Sequence, residues 1–214
     1  MQLGADYNAD RKFVLASGSP RRRELLKLII PEFKVLPANI CEDVSSLESS
    51  SPLDAVAYLS LKKAETVSRE LQGAWVLGGD TIVVLDGKVV GKPQDPDEAI
   101  DMLERLQGRW HQVWSGVSLV NQDLKFSESL SVVTSVFIGE MERSEIRAYV
   151  ESGEPLDKAG GYAIQGRGGV FVKEIRGSHS NVIGLPLRET YLLLKKVGII
   201  GCRTDRDDLT GKRT

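Results

Sequence analysis

Asp80 stands between Val76-Leu77 and Ile82-Val83-Val84, a carboxylate inside an otherwise apolar strand. Burying an unpaired carboxylate is costly, so such a residue commonly serves a metal, a cation or a proton in transit. The alternative is an Asp in a bulge made by Gly78 and Gly79, capping a neighbouring turn. A second irregularity is Ser17-Gly18-Ser19-Pro20-Arg21-Arg22-Arg23, which opens a helix with three arginines. The N-terminus of a helix carries partial positive charge, so each arginine there costs about 0.3–1 kcal/mol. A docked anion reverses that sign, because free N–H groups and guanidinium forks both bind phosphate; a solvated basic turn is the other reading. Lys92, fixed between Gly91 and Pro93, and Lys63, on the apolar stripe of Val56, Leu59, Val67 and Leu71, each could reach a phosphate. A solvated loop lysine and a snorkelling one are the alternatives. Finally, Gly153 to Gly169 is glycine-rich enough to let a backbone approach a ligand, and Gln165 within it carries both a donor and an acceptor, the equipment for a nucleobase edge.

Two cationic arms, a carboxylate in a greasy strand and an amide-bearing loop, with no nucleophilic Cys and no Ser–His pairing, suit water attack on a polyphosphate. A carboxylate would act as base and a divalent ion as electrophile. No Gly-Lys-Ser/Thr follows at the spacing of a P-loop. The two cysteines, Cys41 and Cys202, and two histidines, His111 and His179, cannot build a cysteine zinc site. A metal would therefore rest on carboxylate oxygens, which points to a hard cation such as Mg²⁺ or Mn²⁺. The 28 Lys and Arg against 30 Asp and Glu leave a formal charge of −2, which argues against nucleic acid as a partner. No apolar run approaches the roughly 18 residues that span a bilayer, and Met1 to Asp6 shows no secretory pattern, so a cytoplasmic protein without a membrane partner is expected.

The elements that must position these residues can be read in order. Phe13 to Ala16 is a short buried strand. Ser19 and Pro20 cap and start the first helix, which runs through Leu28. A second helix starts at Ser51-Pro52, with Gly73 available to close it. Ala74 to Val84 is a strand, Asp86-Gly87 a two-residue hairpin turn, and Lys88 to Val90 its return. A third helix opens at Asp95-Pro96 with acids in its first turn and ends at Gly108. Strands near Gln112–Val120 and Ser129–Ile138, a helix over Ser144–Glu151, a strand over Gly169–Ile175, a Gly/Ser/His/Asn loop and a helix from Leu187 to Val197 complete the chain. Hairpins among helices predict an α/β fold on a mixed sheet. Residues 13–200 are expected to form a single domain between tails at 1–12 and 201–214.

Leu15-Ala16-Ser17-Gly18-Ser19-Pro20-Arg21-Arg22-Arg23-Glu24-Leu25-Leu26 resembles the signature of the Maf nucleoside triphosphate pyrophosphatases. Gly79-Asp80-Thr81-Ile82-Val83, Gly91-Lys92-Pro93, Asp157 to Tyr162, Ile164-Gln165-Gly166 and Gly184-Leu185-Pro186-Leu187 are similar to that family's other blocks, in family order. The resemblance implies an elongated α/β fold related to inosine triphosphate pyrophosphatases, with a cleft between two lobes. It implies hydrolysis of a nucleoside triphosphate to the monophosphate and pyrophosphate with a divalent cation, and a homodimer. Carried over by position, Asp80 is general base and metal ligand, and Ser17, Arg21, Arg22, Lys63 and Lys92 contact the triphosphate. Arg21, Thr81 and Gln165 resemble the dTTP/UTP branch rather than the 7-methyl-GTP branch. The family has two adjacent acids where this chain reads Cys41-Glu42-Asp43, which makes Glu42 the second metal-site candidate. Ala163, Ser115 and His179 also depart from the usual residues. Modified pyrimidine triphosphates are further candidate substrates, and a broad or 7-methyl-GTP-type house-cleaning pyrophosphatase, or a nucleotide-binding regulator of division or septum formation with little catalysis, are the alternative functions.

Overall fold

A computed structural model describes residues 12–40 and 51–201. Its centre is a seven-stranded mixed sheet in the order β2-β1-β3-β5-β6-β7, with β4 also paired to β3. The strands are β1 (Phe13–Ala16), β2 (Lys34–Val35), β3 (Trp75–Leu85), β4 (Lys88–Val90), β5 (Trp110–Asn121), β6 (Phe126–Ile138) and β7 (Val172–Arg176). The helices are α1 (Pro20–Lys27), α2 (Pro52–Ser68), α3 (Pro96–Leu106), α4 (Arg143–Glu151), α5 (His179–Ile183) and α6 (Leu187–Lys196). β1 runs parallel to β2 and β3, and the other pairings are antiparallel.

The pairing of β3 creates the site. Along one edge, β1 pairs with Trp75 to Gly78 and β4 with Val83 to Leu85. Between these partners, Gly79 to Ile82 has neither strand beside it, while β5 pairs continuously along the opposite edge. A sheet that parts in this way leaves a crevice at the ends of its strands, where ligands of α/β proteins commonly sit.

The two faces of the sheet are covered differently. Helix α2 lies along one face, with Val14, Ala16, Ala64, Val67 and Val76 in one cluster and Val56, Ile82 and Val84 in another. The other face carries two separate cores. One joins Leu15, Leu77 and Leu119 to Leu26 of α1 and Leu194 of α6. The second joins Val83, Val113 and Ile138 to Leu103 of α3 and Ile146 of α4. Burying each such Leu or Ile contributes about 1.5–3 kcal/mol, so each group of helices is held firmly to its own end of β3.

Local sequence explains most boundaries. Ser19, Ser51 and Asp95 each accept a backbone N–H of the following turn, and each precedes a proline. Asp86 and Gly87 both take positive φ, as a type I′ hairpin requires. Three expectations differ. Helix α2 ends at Ser68 rather than running to Gly73. The Gly/Ser/His/Asn loop contains α5, nucleated by the Ser178 hydroxyl accepting the N–H of Asn181. The strand expected from Gly169 starts at Val172, because Arg167–Phe171 is a 3₁₀ turn.

Candidate functional site

The crevice opens beside the unpaired stretch of β3 into a cavity of about 420 Å³. Ser17, Arg21, Arg22, Lys63, Asp80, Thr81 and Lys92 all line it. Residues far apart in sequence therefore converge as the chemistry of their types suggested. Gln165 does not line the cavity: it is exposed on a turn whose preceding residue, Ile164, does. Glu42, with its neighbours Cys41 and Asp43, lies outside the described residues.

Asp80 and Lys63 form the cleft's central pair. The Lys63 Nζ donates to Asp80 Oδ1 at 2.6 Å, and both residues are buried. Removing either partner would strand a charge in a poorly solvated site. Lys63 thus faces the cleft from the apolar stripe of α2 and does not snorkel.

The glycines before Asp80 have a packing role. Gly78, Gly79 and Asp80 pair with Ser118, Val117 and Gly116 in unbroken register, so there is no bulge. A Cβ on Gly78 would overlap the Ser60 carbonyl, and one on Gly116 would overlap the Val56 carbonyl. These two positions let the α2 backbone sit directly on the sheet, where Lys63 reaches Asp80, and the Ser60 and Ser118 hydroxyls share a hydrogen bond of 2.7 Å. On the opposite face, a Cβ on Gly79 would come within 2.9 Å of Arg22 Cδ. Each glycine of the pair admits one cationic side chain's support to the strand.

The three arginines divide. Arg22 is buried; its Nη1 donates to Ser17 Oγ (2.6 Å), its Nε to the Gly184 carbonyl (2.9 Å) and its Nη2 to Thr81 Oγ1 (3.3 Å). It ties the β1–α1 turn, β3 and the end of α5 together. Arg21 is half-buried in the cleft, and Arg23 is exposed and does not line it. Thr81 also shares a 2.9 Å hydrogen bond with Ser115, whose hydroxyl donates to the Asn181 carbonyl.

The facing wall is the glycine-rich segment. Asp157, Lys158, Ala159, Tyr162 and Ile164 line the cleft there. Lys158 is a cleft cation that sequence reasoning does not assign; its signals are a lysine in a glycine-rich stretch and its place in the Asp157 to Tyr162 block. It donates to Asp157, and that bond, helped by the Lys158 and Arg21 charges and opposed by burial, holds the Asp157 carboxyl below its ordinary value. Behind this wall the Tyr162 hydroxyl meets His111 Nε2 at 2.8 Å. Burial pushes Tyr162 up, and burial lowers His111 to about 4, so His111 is neutral near neutral pH.

Among the described residues no three His, Cys, Asp or Glu side chains come together. Asp80 and, on the facing wall, Asp157 are the carboxylates that line the cleft among the described residues, beside several cations, which suits a Mg²⁺-like ion held by one or two carboxylates plus substrate phosphates.

A family model described as "Maf-like protein" matches residues 12–197. The chain is similar to a protein of Syntrophus aciditrophicus named dTTP/UTP pyrophosphatase, 45% identical over 197 residues, 92% of this chain and 95% of the relative. Proteins of the same name resemble it from Carboxydothermus hydrogenoformans (43% over 187 residues, 87% and 99% of the two chains) and Myxococcus xanthus (47% over 193 residues, 90% and 96%). Among solved structures, the Ham1 protein of Staphylococcus aureus shares 21% identity at a TM-score of 0.40, over 59% of this chain and 71% of its own, a likeness too partial to argue from.

Proposed function

The chain belongs to the Maf-like protein family, and from that membership and the cleft we infer that it is a nucleoside triphosphate pyrophosphatase acting on dTTP and UTP. The observation that carries this reading is the Asp80 carboxylate, set in the gap of β3 among Lys63, Arg21, Arg22 and Lys92. A triphosphate brings negative charge that such a cationic cleft can hold, and a carboxylate beside it can take a proton from water.

In this reading Asp80 accepts a proton from water as the water oxygen bonds to the α-phosphorus. The bond from that phosphorus to the bridging oxygen of the β-phosphate breaks, and pyrophosphate leaves with the bond's electrons. Arg21, Lys63 and Lys92, with the Ser17 hydroxyl, grip the phosphate oxygens. Arg22 has a second duty, because its donors also fix the walls of the cleft. Thr81 and Gln165, with Arg21, select the pyrimidine. Asp80, joined by Glu42, would hold a Mg²⁺ or Mn²⁺ ion, which when bound draws charge from the phosphate oxygens.

The reading extends to a cytoplasmic homodimer that needs neither nucleic acid nor membrane. The formal charge of −2 supports the absence of a nucleic-acid partner. No helix among the described residues is long and apolar enough to cross a membrane. The homodimer rests on the family resemblance.

Substituting Asp80→Asn tests the assignment. Turnover of UTP should fall by about 10²–10⁴-fold, the usual worth of a general base, while circular dichroism and melting show a folded chain. In heavy-oxygen water the wild type should label the monophosphate and not the pyrophosphate. Full activity in the variant, or label in the pyrophosphate, would overturn this mechanism.

A further inference from the structure

The glycine-rich wall has no strand and no α-helix of its own between Gly153 and Gly169; its turns are the 3₁₀ segments Glu154–Asp157, Ala159–Gly161 and the start of Arg167–Phe171. The part carrying Gln165 is a turn closed by the Gly166 N–H donating to the Ala163 carbonyl at 3.1 Å, and one carboxylate ties it to α4. Glu154 Oε1 accepts the Tyr149 hydroxyl at 2.8 Å and the Gly168 N–H at 3.1 Å, and Oε2 accepts the Arg167 N–H at 3.0 Å. The Tyr149 oxygen in turn accepts the Ala163 N–H at 3.1 Å. The chain is thus fixed before Gln165, at Ala163, and after it, at Arg167 and Gly168. These side-chain tethers all lead to one anchor just after α4.

The fit around that anchor is tight. A Cβ on Gly166 would overlap the Glu154 carboxylate, and one on Gly168 would overlap the Tyr149 hydroxyl. Burial works against the charge on Glu154, but the N–H groups of Arg167 and Gly168 and the Tyr149 hydroxyl outweigh it and hold its carboxyl below the ordinary value. The anchor therefore stays ionised at neutral pH, where charge-assisted bonds to backbone N–H groups are at their strongest. Ile164, next to Gln165, forms part of the cleft wall, so a shift of this turn moves both residues relative to a bound nucleotide.

We propose that Glu154, with Tyr149, is the positioning residue that sets the Gln165 turn against the cleft and thereby determines nucleotide preference. The inference rests on the reading of Gln165 as the residue that selects the base. Glu154 touches no substrate; it acts through the backbone on either side of Gln165. A loop staple without this role would alter stability and leave the ratio between nucleotides alone.

The test compares E154Q, Q165A and the double variant by the ratio of kcat/KM for UTP to that for GTP. Q165A should lower the ratio by about tenfold, roughly the worth of one hydrogen bond to the base, and E154Q by a similar factor. The double variant should fall no further than Q165A alone, because residues acting through one another are not additive. A wild-type ratio in E154Q alongside a reduced ratio in Q165A overturns the role of Glu154 and leaves Gln165 as the base reader. Factors that multiply in the double variant overturn it equally. A wild-type ratio in Q165A overturns the base-reading assignment, and this inference with it. Should E154Q fail to fold, Y149F removes one tether to the same carboxylate. It should shift the ratio in the same direction by less and speed amide exchange at Arg167 and Gly168; no change in either overturns the proposal.

Discussion

The two walls of the cleft are held by different kinds of bond. On the β3 side, Asp80 sits in a continuous ladder with β5, Ser17 follows β1 directly, and Lys63 projects from a 17-residue helix. On the glycine-rich side, apart from short turns and a backbone bond from the Gly160 N–H to the Gly91 carbonyl, the ties come from side chains: Ala163, Arg167 and Gly168 from Tyr149 and Glu154, and the Tyr162 hydroxyl from His111. The difference matches what the proposed function asks of each wall. Phosphate groups are common to every nucleotide, so the groups that grip them can be built into sheet and helix. The share of base selection that the proposed function gives to Gln165, beside Thr81 and Arg21 on the other wall, needs only local geometry, which a few side-chain tethers can set. Damage to the β3 side should remove stability and activity toward every substrate. Damage to the glycine-rich side should alter selection first.

The largest effect is expected at Gly116, which lies across the ladder from Asp80. In Gly116→Ala the new Cβ would overlap the Val56 carbonyl oxygen and carbon, backbone atoms inside α2 that cannot rotate aside. The helix must lift from the sheet, taking Lys63 from Asp80. A loss of about 3 kcal/mol in denaturant unfolding is expected, the upper end of the usual cost of overpacking, together with loss of turnover for all triphosphates. A native unfolding midpoint in this variant would break the claim that α2 packs backbone-to-sheet.

The same contrast governs what could be read from the sequence. Asp80 in its apolar strand and Lys63 on an apolar stripe were visible because each violates a local pattern that the surrounding element makes obvious. The arginines at the start of α1 were visible for the same reason. Their division into a buried brace, a cleft residue and an exposed one was not, since it depends on which face of α1 meets Gly184 and Thr81. Gly78 and Gly79 read equally well as a bulge; only the positions of α2 and Arg22 on opposite faces show that close packing explains them. On the glycine-rich side, Gln165 drew notice by its chemistry, but the Glu154 anchor did not. Side-chain to backbone tethers across a dozen residues leave no periodicity, and a Glu in a polar turn looks like any solvated acid. The same holds for β2, two residues long and exposed, which has no apolar alternation to betray it.

The glycine-rich side also responds to pH through the histidine behind it. His111 is 2% exposed, and burial lowers its pKa from 6.5 to about 4. Between those values the unfolded chain binds a proton that the folded chain does not. The contribution is therefore complete above 6.5 and is lost as pH falls toward 4, by at most about 3 kcal/mol. Melting temperatures followed across that window should decline in the wild type and decline less in His111→Gln, which removes the titrating group. Equal slopes in the two chains would show that the wall behind Tyr162 does not rest on a neutral histidine.

Gly166 gives the smallest effect and the closest comparison with Gly116. In Gly166→Ala the Cβ would overlap atoms too, but they are the carboxylate end of Glu154, a flexible side chain that can turn away. Its φ of −118° is open to any residue, so no backbone strain is added. The chain should therefore lose only about 1 kcal/mol of stability, yet Glu154 must leave Arg167 and Gly168 to make room. The UTP to GTP ratio should fall while pyrophosphate release itself persists, whereas Gly116→Ala abolishes both. If Gly166→Ala instead unfolds the chain as readily as Gly116→Ala, the glycine-rich wall is as much a part of the fold as the β3 side, and the contrast between them fails. If it keeps both stability and the wild-type ratio, the carboxylate can move without disturbing the turn, and selection must be set elsewhere in the cleft.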